Sequence, residues 1–70
     1  MKLAEAIRQA VQDENPVLAS KLADYMRFRL GWNYGQTAAF VAKACAEMFD
    51  DRTARTRWEG LMYLADTQGC

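Results

Sequence analysis

Histidine is absent from this 70-residue chain, which has a single proline and two cysteines, and its one serine is Ser20. Each scarcity excludes something. Without histidine no side chain titrates near neutral pH in its unperturbed state, so general acid–base catalysis loses its usual agent. Ser20 lies beside Lys21, and adjacent residues of a helix diverge, so no activated hydroxyl is expected. Zinc sites need closely spaced Cys and His ligands, and Cys45 and Cys70 stand far apart. Two cysteines cannot build a multi-bridge scaffold, which fits a reducing cytoplasm. No net charge is present either: nine basic residues balance nine acidic ones. A basic nucleic-acid coat and an acidic mimic are both disfavoured for the chain as a whole. Long apolar runs are missing too. The longest, 38–42, is far too short to span a bilayer, and Met1-Lys2-Leu3-Ala4-Glu5 lacks the apolar core of a signal peptide.

What remains is a globular composition, 51% hydrophobic and 26% charged, enough for one small domain with a thin core. Apolar spacing follows the helical period almost throughout and predicts an all-α, compact four-helix single domain over 1–70. The first helix, 2–12, places Leu3, Ile7, Ala10 and Val11 on one face. Asn15-Pro16 is a helix start, because Asn accepts from free backbone N–H groups and Pro is tolerated in the first turn. The second helix, 16–30, buries Leu18, Leu22, Tyr25 and Met26, with Arg27 and Arg29 in the last turn, where positive charge suits the helix dipole. Gly31 follows as a left-handed cap. After a connection at 32–35, the third helix, 36–49, carries Ala38, Val41, Cys45, Met48 and Phe49 inward. It is Ala-rich, which lets neighbours approach closely, and is expected to be central. Asp50-Asp51 caps a fourth helix, 52–66, with Ala54, Trp58, Leu61, Met62 and Ala65 inward and fraying expected at 67–70. An orthogonal bundle is expected over an up-and-down one.

No enzyme, metal or cofactor is expected. Asp50 and Asp51 can be read as a carboxylate pair for acid–base work, but capping explains them; with Glu47 they lack the spacing of a calcium loop. Binding is the remaining class. Arg27, Phe28, Arg29, Trp32 and Tyr34 fall within eight residues of one another, and Arg, Trp and Tyr are the types enriched at interface hot spots. Phe28, Val17 and Phe40 fall off the main stripes, where a core this small cannot hide them all. The alternative for Trp32 is a fold-back over the helix ends, and for Phe28 and Phe40 a mutual packing between the second and third helices.

The expected function is therefore a protein-binding module acting stoichiometrically on a larger protein or complex as inhibitor, adaptor or regulator. Short catalytically silent chains include many phage-encoded inhibitors of host machinery, anti-CRISPR proteins among them; size and missing catalytic residues carry that expectation. A second reading is nucleic-acid binding. Leu30-Gly31 followed by Gln36-Thr37-Ala38, and Arg57-Trp58-Glu59-Gly60, resemble the turn and the recognition-helix end of the phage repressor and Cro group of helix-turn-helix regulators. The resemblance implies a DNA-binding transcriptional regulator, and Arg52, Arg55 and Arg57 are the basic residues available for it. The chain departs from that group in its longer 36–49 helix and in the acidic Asp50 and Asp51, which phosphates would repel. A third reading is an assembly protein whose partner is its own copy, a homodimer.

Overall fold

The computed structural model describes residues 2–68, and among them there are helices and no strands. The helices are α1 (Leu3–Gln12), α2 (Pro16–Asp24), which runs on into a wide π segment (Tyr25–Arg29), α3 (Tyr34–Ala44) and α4 (Asp51–Gln68). The all-α four-helix domain is as the periodicity predicts. Around the bundle the order is α1, α2, α4, α3, each packing on its two neighbours; α1 also touches α4 across the middle. The Ala-rich α3 thus lies against α1 on one side and α4 on the other, with the π segment against it as well.

The core follows the predicted stripes for α1 and α4. Ile7, Ala10 and Val11 of α1 and Ala54, Trp58 and Leu61 of α4 are buried, together with Leu22, Met26, Val41 and Cys45. Burying the larger of these, the Val, Leu, Ile and Met side chains, stabilises the fold by about 1.5–3 kcal/mol each before the cost of ordering the chain is counted. Tyr25 and Met48, placed inward by a regular helical wheel, are exposed. The reason is local geometry: from Tyr25 the helix widens, and after Ala44 it has ended, so neither residue stays in phase with the stripe before it.

The connections are built by hydrogen bonds. At the end of α1 the Asn15 N–H donates to the Ala10 carbonyl and the Glu14 N–H to that of Val11, a Schellman closure. Glu14 occupies the left-handed position at φ 50°, where glycine is usual. Asn15 then turns to the next helix, its side chain accepting from the Leu18 N–H at 3.1 Å. The third helix begins two residues before the expected position. Asn33 accepts from the Gln36 N–H at 2.8 Å and donates its own N–H to Gln36 Oε1 at 2.9 Å, a reciprocal capping box. Tyr34 is therefore helical and not part of the connection. The same helix stops at Ala44, five residues before the expected end, where Arg8 of α1 donates to the Ala44 carbonyl at 3.4 Å. Cys45 is wholly buried behind that contact; burial pushes its thiol pKa up, opposed by the Arg8 charge. Asp50 caps α4 as expected, accepting from the Thr53 N–H at 2.7 Å. Fraying from residue 67 does not occur at Thr67, which is helical and whose hydroxyl donates to the Tyr63 and Leu64 carbonyls. Gln68 closes the same helix, and 69–70 lie outside the described residues.

Candidate interaction surface

The π segment decides where the second-helix side chains go. Its Leu30 N–H reaches back five residues to the Tyr25 carbonyl at 3.2 Å. Gly31 then turns left-handed at φ 70°, as expected, and the Trp32 N–H donates to the Met26 carbonyl at 2.9 Å. A π turn is wider than an α turn, so side chains within and after it are out of phase with the stripe of the preceding helix. From Asp24 to Gly31 only Met26 is buried; Tyr25, Arg27, Phe28, Arg29 and Leu30 are all exposed. Phe28 is 73% exposed, its ring lying 5.4 Å from the Arg27 guanidinium carbon. A guanidinium over an aromatic face at that distance contributes about 0.5–1 kcal/mol at an exposed site, enough to orient the ring but not to shelter it.

Trp32 and Tyr34 have different surroundings. The Gly31 turn folds Trp32 back against α3, half-buried, with its ring 5.1 Å from that of Phe40 and tilted by 50°. Phe40 therefore packs on Trp32 and not on Phe28, which is left outside. Tyr34 is exposed, yet its hydroxyl is engaged, donating to Glu59 Oε1 of α4 at 2.6 Å. That hydrogen bond, with lesser contributions from burial and from the Glu59 charge, raises the Tyr34 pKa above its usual value; the nearby Arg55 charge acts in the opposite sense. Of the five residues singled out from the sequence, Arg27, Phe28 and Arg29 are exposed on the π segment, Trp32 is half-buried on Phe40, and Tyr34 is exposed but bonded to α4.

The three arginines of α4 do not share a face. At about 100° per residue, Arg52 and Arg55 lie about 60° apart, while Arg57 lies more than 130° from either. Arg57 is turned toward the rest of the fold: its guanidinium carbon sits 4.6 Å over the Phe49 ring and its Nη1 is 3.8 Å from Glu14 Oε1. Asp51, Glu59 and Asp66 fall on the same side of α4 as Arg52 and Arg55, so that side carries three negative charges against two positive ones. Among the described residues no three His, Cys, Asp or Glu side chains gather to hold a metal ion, and no helix is long and apolar enough to cross a membrane. Asp50, half of the carboxylate pair noted above, has its pKa lowered by the side-chain and backbone hydrogen bonds to Thr53, as a capping carboxylate should. No protein-family model, curated protein or solved structure matches this chain.

Of the π segment, the regular helical wheel placed Met26 inward and Phe28 off the stripe, as found, and misplaced only Tyr25, because such a wheel carries no information about a widened turn. The Asn33–Gln36 capping box, by contrast, was readable: an Asn followed three residues later by Gln marks a helix start.

Proposed function

We propose that this protein is a non-enzymatic binding module that acts stoichiometrically on a larger protein, as an inhibitor, adaptor or regulator of it. The observation that supports this is the π segment, where Tyr25, Phe28 and Leu30 are exposed within one turn beside Arg27 and Arg29. Leaving a phenylalanine ring in water forgoes about 1.5–3 kcal/mol of burial, and docking into a partner's pocket recovers it. Phe28 is the anchor of this reading, Arg27 and Arg29 supply forked donors for carboxylates or carbonyls at its rim, and Trp32 and Tyr34 are positioning residues.

The test is affinity capture from host lysate with wild-type and Phe28→Ala baits, compared by mass spectrometry, followed by calorimetric titration of the recovered protein. Phe28→Ala should weaken binding by more than about 1 kcal/mol while leaving the unfolding midpoint unchanged. Equal binding by both baits would overturn this placement. If binding instead disappears in Arg52→Ala and Arg55→Ala and falls steeply with salt on DNA, the helix-turn-helix reading takes its place.

A further inference from the structure

Three of the nine basic residues, Arg27, Arg29 and Lys43, and none of the nine acidic ones lie between Tyr25 and Ala46. The chain is neutral as a whole, so this stretch is a local excess of positive charge in a molecule whose carboxylates lie elsewhere in the sequence. Among the described residues neither Arg27 nor Arg29 pairs with a carboxylate, and Asp24, one turn earlier, bonds to neither. Arg27 lies against the Phe28 ring instead, at 5.4 Å. A guanidinium stacked on a ring keeps its planar N–H edge free for a forked bond. The two arginines thus stand one residue to either side of an exposed ring, with their donors unspent and Tyr25 and Leu30 exposed in the same turn.

We propose that the partner segment seated on this turn is an acidic amphipathic helix, with Phe28 inserted among its apolar side chains and Arg27 and Arg29 forked onto carboxylates on its two flanks. The inference rests on the reading of Phe28 as the binding anchor and adds the chemistry of what the ring meets. At 73% exposure Phe28 is a knob, and a knob needs a hole. Four neighbouring side chains on a facing helix make such a hole. Charge complementarity then fixes the rim. With arginine on both sides of the ring and no acidic residue from 25 to 46, carboxylates are the groups that gain and basic groups the ones that are repelled. A phosphate polymer or an anionic bilayer gains less from the same turn. Each neutralised phosphate adds only a modest, salt-screened increment, and this turn offers two cations. Tyr25 and Leu30 add apolar area that a partner helix can cover and that a phosphate backbone cannot.

The test pans a display library of helix-forming peptides of about 20 residues, randomised along one face, on the immobilised full chain. Peptides retained by the wild type and released by Phe28→Ala should carry Asp or Glu on both flanks of their apolar residues. By fluorescence anisotropy the tightest of them should bind the Arg27→Glu, Arg29→Glu double variant about tenfold or more weaker, at an unchanged unfolding midpoint. Exchanging its carboxylates for Lys should restore binding to that variant. Arg27→Lys with Arg29→Lys should fall between the two, because an ammonium does not fork. Phe28-dependent peptides without flanking Asp or Glu would overturn this inference and leave the protein-binding reading standing. A selection with no Phe28-dependent peptide would overturn both. So would a wild type that pellets with phosphatidylserine vesicles, or shifts single-stranded DNA, through Arg27 and Arg29. Self-association of the chain that is lost in Phe28→Ala would put a second copy on the turn and overturn the inference as well.

Discussion

The Tyr34 hydroxyl donates to Glu59 Oε1 at 2.6 Å, joining the first turn of α3 to the middle of α4. The two residues are 25 apart in sequence, and neither is buried. The bond ties the start of α3, three residues after the Gly31 turn, to α4.

That bond gives a pH dependence whose sign is fixed. Its neutral phenol is the donor, so the folded-state pKa lies above the ordinary value of 10.0. The stabilisation is fully present below the unfolded pKa and is lost as pH rises through the raised folded value. An alkaline titration of the Tyr34 ring followed by NMR should show a midpoint above 10.0. Glu59→Gln should bring it down, since the hydrogen bond to the Glu59 carboxylate is the largest cause of the shift and the Glu59 charge a lesser one.

Asp50 behaves in the opposite sense. Its hydrogen bonds to Thr53 hold the carboxyl below its ordinary value of 3.8. The cap therefore contributes above the unfolded pKa and fails as pH falls through the lowered folded one. Thermal midpoints of wild type and Asp50→Ala should differ by a constant amount at neutral pH, and the gap should close in acid below 3.8. A gap that does not change with pH would mean that the charge of Asp50 does not matter to α4.

Trp32 and Phe28 should separate cleanly in stability. Trp32→Ala removes a half-buried ring packed on Phe40 and should cost about 1–3 kcal/mol in urea unfolding. Phe28→Ala removes a ring 73% exposed and should change stability by less than about 0.5 kcal/mol. The reverse order would put Phe28 in the core and remove the anchor of the proposed binding surface.

Three backbone positions make a further set. Gly31 and Gly60 both have open space around a built Cβ, but only Gly31 lies at a positive φ, 70°. Gly31→Ala should cost about 1 kcal/mol through left-handed strain, while Gly60→Ala, measured in dilute solution, should stabilise by about 0.5–1 kcal/mol. Glu14→Gly should also stabilise, by about 0.5–1 kcal/mol, because it relieves a non-glycine residue at φ 50°. The long contact of Glu14 with Arg57 at 3.8 Å is too exposed to offset that gain. Chemical denaturation of the three variants measures all of these together.

Local rules carried most of the fold. The 3.6-residue period of α1 and α4, the Asn15-Pro16 start, the Gly31 cap and the Asp50 cap were all legible in the sequence, because each depends on residues a few positions apart. Tertiary structure decided the rest. The widening at Tyr25–Arg29 follows no helical spacing, and the end of α3 at Ala44 coincides with contacts between helices, Arg8 reaching its carbonyl from 36 residues away. The same contacts decided that Phe40 covers Trp32 and leaves Phe28 in water, and that Arg57 turns toward Glu14 and away from Arg52 and Arg55. Composition could nominate Arg27, Phe28, Arg29, Trp32 and Tyr34 as a surface. Which of them face outward depended on how the ends of two helices pack, and no spacing within either helix encodes that.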